Sequence, residues 1–181
     1  QLIGYHIGVI TSSEEFLSYT GHGGGRLSGN PYFVERATPN GLTILKSNIN
    51  VGTSGDSMEK FFTPVRKALE GPIEQTYNKG FLRPDAFLAV IFLTDTDDQS
   101  YMSAQDMRDF LVRLKGSPEK VLTYGVFKPV TNSICYDRGG ELPPVKLEDF
   151  LRLMNGGKLT NELDICDSDF GTKLAAVGSE L

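Results

Sequence analysis

The amino-acid sequence predicts an α/β fold with a mostly parallel sheet flanked by helices. Apolar strand patterns and amphipathic helix patterns alternate along the 181 residues. Residues 86–94 (AFLAVIFLT) are apolar on both faces, which is typical of a central parallel strand covered by helices on both sides. Ser103 and Asp106 then stand at capping-box spacing, directly before an amphipathic helix pattern. The length fits one domain, and we expect residues 1–181 to form it.

The first part of the chain is predicted to contain short strands around a loop. Residues 5–11 form a β-branched apolar run, which indicates a buried strand, and His6 within it is expected to be structural. Residues 21–30 are rich in glycine and show no periodicity, so they are predicted to form a mobile loop. Short strands are predicted at residues 32–35 and 42–45.

Two helices are predicted, one before and one after the apolar strand at residues 86–94. Residues 56–69 form the first, in which Asp56 is the expected cap and Pro64 the expected site of a kink. The second follows Ser103 and ends at Gly116.

The last third continues the alternation. We predict a strand at residues 121–127, a helix at 147–154, a polar strand at 159–165 and a terminal helix at 170–177. In such a fold, ligands bind in the crevice at the carboxyl ends of the parallel strands.

Composition excludes two classes of partner. The 18 basic and 23 acidic residues give a net charge of -5, and no basic run is present to follow a phosphate backbone, so nucleic acid is not an expected partner. The longest apolar run, residues 86–93, is much shorter than the roughly 20 residues of a membrane span. The chain opens with Gln1 rather than Met, and we expect a mature or trimmed product.

The cysteines favour a disulfide over a metal site. Cys135 and Cys166 are too few for a zinc site, and His6 and His22 lie far away in the sequence. Both cysteines occur in the polar, glycine-rich last quarter, which favours a disulfide in an oxidising compartment. Two unpaired thiols in a cytosolic protein are the alternative.

Acidic residues cluster where the apolar strand ends. Asp95, Asp97 and Asp98 follow that strand directly, and crowded carboxylates need a cation or a shifted pKa to coexist. One interpretation is a solvated acidic turn that leads into a capped helix. The other is a site for a hard divalent cation, because Mg²⁺ and Ca²⁺ prefer oxygen ligands.

A second loop offers further oxygen ligands. Thr53, Ser54 and Asp56 stand in the segment VGTSGD, just before a predicted helix. The segment lacks both the G-x-G-x-x-G pattern and the lysine of a phosphate-binding loop, so nucleotide binding is not indicated.

Four segments in order resemble the von Willebrand factor A-like (integrin I-like) domain, especially its bacterial surface and envelope members. They are YHIGVIT, VGTSGD with the helix MEKFFTPVRKAL, NKGFLRPDAFLAVIFLTDTDDQS, and GGKLTNELDICDSDFGTKLAAVG. The third is the most specific, because Asp95 matches the metal-binding aspartate of the family. The resemblance implies a three-layer, Rossmann-like fold, and similar bacterial domains place a cysteine pair where Cys135 and Cys166 stand.

The resemblance also implies a metal-ion-dependent adhesion site. In the family a D-x-S-x-S motif, a threonine and an aspartate hold Mg²⁺, with Ca²⁺ or Mn²⁺ as alternatives. Thr53 and Asp95 match the last two ligands, and Ser54, Asp97 and Asp98 are expected to be accessory groups around the ion. No D-x-S-x-S occurs in the chain, so we expect this motif before Gln1, with an amino-terminal strand and helix of roughly 30 to 40 residues.

The expected function is therefore binding and not catalysis. In the family the cation keeps one coordination position open, and an acidic group of a protein or surface ligand fills it. The resemblance places the domain outside the cytoplasm, at a bacterial cell surface, in the periplasm or in the extracellular space. A degenerate, metal-free structural domain is one alternative.

Two further alternatives use the same acidic segment. An EF-hand-like loop would start at Asp95, but Ser100 stands where glycine is needed. A haloacid dehalogenase-type phosphotransferase would use Asp95 and Asp97, with Asp167 and Asp169 as Mg²⁺ ligands. No G-x-S-x-G motif is present to support a hydrolase triad.

Overall fold

The computed structural model describes residues 4–136 and 141–177, which separate into two compact units. The first unit comprises the described residues up to Pro84 together with residues 99–101. The second comprises Asp85–Asp98 and the described residues from Met102 onward. Each unit is described by itself.

The first unit contains a small antiparallel sheet and three helices. Its elements in chain order are β1 (His6–Gly8), β2 (Phe33–Glu35), α1 (Gly41–Ile49), α2 (Phe62–Leu69) and α3 (Pro72–Gln75). Strands β1 and β2 pair antiparallel, with Ile7 opposite Val34. The strand predicted at residues 5–11 therefore exists in shorter form, and its partner makes it antiparallel. The His6 ring bonds to the Phe81 carbonyl at 2.8 Å, which satisfies the structural role predicted for it.

The prediction of a strand at residues 42–45 is wrong, because these residues lie in α1. Asn40 takes a left-handed backbone conformation with φ 55°, and its carbonyl accepts bonds from the N–H groups of Thr43 and Ile44. The β-branched residues of this segment favour a strand, but local helical hydrogen bonds satisfy the backbone without a partner strand.

The helix predicted at residues 56–69 begins later, at Phe62. Asp56 does not cap it, because its carboxylate accepts the N–H of Met58, 3.2 Å away, in a turn before the helix. Pro64 is the third helical residue, where a backbone N–H has no acceptor within the helix, so the predicted kink has no cause.

The glycine-rich segment at residues 21–30 packs closely against α2. Gly25 has φ +73°, and a Cβ atom there would lie 2.6 Å from the Cβ of Lys67. The side chain of Asn78 is buried and bonds to the backbone of Gly25 and of Leu27. The segment is a loop outside the named helices and strands, as predicted, and its glycines permit close backbone approach here. The mobility expected of it stays a prediction.

The second unit is a mixed α/β structure with a parallel sheet. Its elements are β3 (Leu88–Leu93), α4 (Ala104–Lys115), a 3-10 turn (Pro118–Lys120), β4 (Val121–Phe127), α5 (Val145–Met154), β5 (Glu162–Asp164) and α6 (Phe170–Val177). The strands run parallel in the order β3-β4-β5, with Leu88 opposite Val121 and Gly125 opposite Glu162. This arrangement confirms the predicted α/β class and is compatible with a Rossmann-like fold.

Strand β3 does not occupy the centre of the sheet, as its apolar sequence predicted. In the described part of the chain it lies at an edge, and β4 is the middle strand. One face of β3 is buried, with the Phe92 ring 5.7 Å from that of Phe150 in α5. The other face is exposed, to 47% at Ile91 and 55% at Leu93. An apolar composition on both faces therefore did not establish burial on both faces.

Helix α4 confirms its predicted boundaries. The Ser103 side chain accepts the N–H of Asp106, and the Asp106 carboxylate accepts the N–H of Ser103, which completes the capping box. Gly116 ends the helix with φ 76°. No helix among the described residues is long and apolar enough to span a membrane.

Gly125→Ala should destabilise the second unit, because a Cβ atom there would lie 2.1 Å from the buried Phe127 ring. We expect the free energy of unfolding to fall by about 1–3 kcal/mol, as for overpacked cores. Gly171→Ala in α6 is the matched control, since no atom lies within 4 Å of its added Cβ. Urea unfolding of both variants checks this, and equal stability of the two would contradict the packing at Gly125.

Candidate functional site

The carboxyl ends of the parallel strands lie at one edge of the second unit. Strand β3 continues into residues 94–98, β4 into residues 128–136, and β5 ends at Asp164. This is the edge at which α/β folds bind ligands. The predicted residues Asp95, Asp97 and Asp98 all lie there.

A turn after β3 presents Asp95 to solvent. The Thr94 hydroxyl accepts the backbone N–H of Thr96 at 3.1 Å, which fixes the turn with Asp95 between them. Asp95 is exposed. No described residue forms a hydrogen bond or ion pair with its carboxylate. Asp95 is thus a free carboxylate on a defined turn.

Asp97 caps helix α5 from another segment of the chain. Its Oδ2 accepts the backbone N–H of Lys146 at 3.0 Å, and its Oδ1 accepts that of Leu147 at 3.1 Å. These N–H groups have no acceptor within the helix, and Pro144, at the cap position, supplies no side-chain bond. Both oxygens of Asp97 are therefore engaged, next to the positive end of the helix dipole.

Asp98 forms a buried ion pair at the start of the same helix. Its side chain is 0% exposed, and its carboxylate lies 2.9 Å from Nζ of Lys146. The backbone of Asp97 is also held in this region, because its N–H donates a hydrogen bond to the Leu142 carbonyl at 3.1 Å. Asp97 and Asp98 hold the loop and α5 together. This differs from the solvated acidic turn that the sequence offered as one interpretation, because Asp98 is buried and Asp97 caps a distant helix.

The disulfide predicted between Cys135 and Cys166 is confirmed. Their Cα atoms are 5.2 Å apart, and the bond joins the segment after β4 to the segment after β5. Asp164 lies beside it and accepts the N–H groups of Ile134 at 2.7 Å and of Cys166 at 2.8 Å.

Potential ligand atoms of Cys135, Asp164 and Cys166 lie within 4.8 Å of one another. In the disulfide neither sulfur is a thiolate, which is the form that binds metals. This group therefore does not supply the oxygen-rich site that the sequence predicted.

Thr53 and Ser54 lie in the first unit, while Asp95, Asp97 and Asp98 lie in the second. Both residues are exposed, in a loop that follows Gly52, and no described group bonds to either side chain. Their participation with Asp95 in one site stays a prediction.

The residues of the alternative sites have other contacts. The Asp167 carboxylate accepts the N–H of Asp169 at 2.9 Å and pairs with Lys173, whose hydrogen bond lowers the pKa of Asp167. Asp106, which would close an EF-hand-like loop, is part of the α4 capping box.

Sequence reasoning missed a carboxyl pair in which Glu148 is buried and Glu162 is half-buried. Glu148 on α5 accepts the N–H of Val130 at 2.7 Å and pairs with Arg152 at 2.8 Å. Burial raises the pKa of Glu162 on β5 to about 7, and the charge and hydrogen bond of Glu148 add to the rise, whereas Arg152 lowers it. Because the pair joins a helix to a strand that is distant in sequence, no local sequence pattern indicates it.

The donor set fits a hard cation in part. Asp95 supplies an oxygen ligand of the right chemistry, and the oxygens of Asp97 and the buried Asp98 already accept other bonds. A single free carboxylate is weak for Mg²⁺, which prefers octahedral oxygen coordination. Further ligands must come from outside this loop.

Comparisons of the chain with protein-family models, with curated proteins and with solved structures found no significant match.

Glu162→Gln should change the pH dependence of stability. The folded state holds a proton on Glu162 up to a pKa of about 7, compared with an ordinary value of 4.5. The resulting stabilisation is complete below the ordinary value and is lost as the pH rises through the folded value. Urea unfolding at about pH 5 and about pH 8 should therefore show the variant gaining stability relative to the original protein as the pH rises.

Asp149→Asn is the control, since it removes an exposed carboxylate that also pairs with Arg152. It should keep the original pH profile. Identical slopes for the original protein and Glu162→Gln would contradict the proton on Glu162.

Proposed function

We propose that this chain belongs to an adhesion-type binding domain, similar to von Willebrand factor A-like domains, that recognises a protein or surface ligand through a divalent cation. Asp95 is the proposed cation ligand at the carboxyl edge of the sheet. Mg²⁺ is the proposed ion, with Ca²⁺ or Mn²⁺ as alternatives.

The observation that carries this proposal is that the three acidic residues after β3 differ in their contacts: two bond to α5 and one has no described partner. Asp97 and Asp98 bond to α5, so their carboxylates are held in place by the protein itself. Asp95, one residue from the Thr94 hydroxyl that fixes the turn, stays exposed and free. A free carboxylate on a rigid turn is preorganised for an external charge, since little ordering is needed on binding.

The chain's own residues would orient the ion and leave room for the ligand. Asp95 supplies a negative oxygen from the exposed turn after β3. When bound, the cation supplies a positive centre that accepts an acidic group of the partner. Asp97 and Asp98 act as positioning residues, because they fix the loop from which Asp95 projects.

The phosphotransferase alternative places a different demand on Asp97. That chemistry needs Asp97 to exchange a proton with the substrate, whereas both of its oxygens accept backbone N–H groups of α5. The contacts of Asp97 favour a binding role over this reaction.

The disulfide supports a location outside the cytoplasm. Such bonds persist in oxidising compartments, including the periplasm and the cell surface. A bacterial surface or envelope location is part of the proposal.

Asp95→Asn tests the proposal, with Asp85→Asn as a matched control. Asp85 is also exposed and stands near the amino end of β3, at the opposite end of the strand. Titration of the original protein with Mn²⁺ should broaden the amide resonances of residues 94–98 most strongly in NMR spectra, and Mg²⁺ should reverse this. Asp95→Asn should abolish the effect because the charged ligand is lost, and Asp85→Asn should preserve it.

Equal broadening in Asp95→Asn would remove Asp95 from the site. Absence of broadening in the original protein would instead favour the metal-free structural alternative. Hydrolysis of a generic phosphate monoester with Mg²⁺ that disappears in Asp95→Asn would favour the phosphotransferase.

A further inference from the structure

Arg26 in the first unit is an arginine held by aromatic rings. Its guanidinium carbon lies 3.9 Å from the ring centroid of Phe16 and 5.0 Å from that of Tyr77. Tyr77 in turn packs against Tyr32, with 4.3 Å between ring centroids. Cation–π contacts of this kind fix the head group of an arginine.

The backbone on both sides of Arg26 is fixed by one buried side chain. Asn78 donates from Nδ2 to the Gly25 carbonyl at 2.8 Å and accepts the Leu27 N–H on Oδ1 at 3.0 Å. It also donates to the Ala68 carbonyl of α2 at 3.1 Å. The position of Arg26 is therefore set by the fold before any ligand is present.

The charge of Arg26 has no acidic partner. Within the described residues, no group accepts a hydrogen bond from its guanidinium or pairs with it. Its Nε is buried without a partner, and neither terminal nitrogen is among the buried atoms that lack one. Lys60 and Lys67 of the same unit differ, because they pair with Glu14 and Glu15. A half-buried, immobilised positive charge is thus left with free N–H donors.

The geometry selects the chemistry of a ligand. The rings of Phe16 and Tyr77 lie within cation–π distance of the Arg26 guanidinium, whose N–H donors lie in its own plane. A carboxylate is planar and accepts two such parallel hydrogen bonds. The single uncompensated charge matches a monoanion, and a net charge of -5 for the chain disfavours a polyanion.

The surroundings resemble a protein-binding surface. Phe16 and Tyr32 are exposed, and Tyr19, in the segment between Phe16 and the glycine-rich loop, is 73% exposed. Arginine and tyrosine are enriched among the residues that dominate protein–protein binding energy.

We propose that Arg26, held against Phe16 and Tyr77, binds a single glutamate or aspartate side chain of a protein partner. This site uses no metal and does not involve Asp95 or Thr53. Its success or failure is therefore independent of the cation-dependent function.

The test follows the Nε–H resonance of Arg26 by NMR in the presence of a chelator. The probes are glutamate blocked at both ends by acetyl and methylamide groups, and the glutamine analogue of the same shape. The glutamate probe should shift the resonance saturably and bind at least about tenfold more tightly than the glutamine probe, since only it carries the charge.

Arg26→Gln and Arg36→Gln are the matched variants. Arg36 lies in the same unit, is exposed and has no ring contact among the described residues. With amide resonances around the site as the readout, Arg26→Gln should lose the glutamate-dependent shifts and Arg36→Gln should keep them. Unchanged amide spectra elsewhere establish that both variants fold.

Three results would overturn the proposal: equal affinity for both probes, binding retained in Arg26→Gln, or a shift that does not saturate. Glucuronate or inorganic phosphate binding at least tenfold more tightly than the glutamate probe would also overturn it, because the natural ligand would then be an acidic sugar or a phosphate.

Discussion

Two adjacent carboxylates join the parallel sheet to helix α5. Asp97 accepts the N–H groups of Lys146 and Leu147 in the first turn of the helix, and the buried Asp98 pairs with the Lys146 side chain. A buried carboxylate is tolerated only when it is paired and hydrogen-bonded, so the loop after β3 and the start of α5 constrain each other. The position of α5 then allows the Phe150 ring to pack against the Phe92 ring of β3. The exposed turn at Asp95 depends on this arrangement.

The two proposed binding features follow one physical rule. At Asp95 and at Arg26, neighbouring groups satisfy the backbone and fix the segment, while the charged side chain itself has no described hydrogen bond or ion pair. The Thr94 hydroxyl fixes the turn at Asp95, and the Asn78 side chain fixes the segment around Arg26. A charge held in this way is already ordered, so an oppositely charged ligand meets a smaller entropic cost.

The sequence predicted elements with strong local signals. Strand β4 and helix α6 were predicted with their observed bounds, and the capping box of α4 was read correctly, because each signal lies within a few residues. The edge position of β3 was not predictable, since an apolar run does not identify its neighbours. The cap of α5 was also missed, because Asp97 lies 49 residues before Lys146.

The candidate site was predictable only in part. Residue types located the acidic cluster, but they did not separate Asp95 from Asp97 and Asp98, whose roles depend on the position of α5. The sequence did not identify Arg26, because it stands in a glycine-rich segment and its aromatic partners Phe16 and Tyr77 come from other parts of the chain. The disulfide was found because composition and position both indicated an oxidised pair.

The most direct test compares the stabilities of Asp95→Ala, Asp97→Ala and Asp98→Ala by urea unfolding without divalent cations. The free energy of unfolding should change by less than about 0.5 kcal/mol for Asp95→Ala, as for an exposed residue without partners. Asp97→Ala should cost about 1–2 kcal/mol through loss of the helix cap, and Asp98→Ala should cost at least as much because it removes the buried ion pair with Lys146. A large loss in Asp95→Ala, or no loss in Asp97→Ala, would contradict the division between one free and two structural carboxylates.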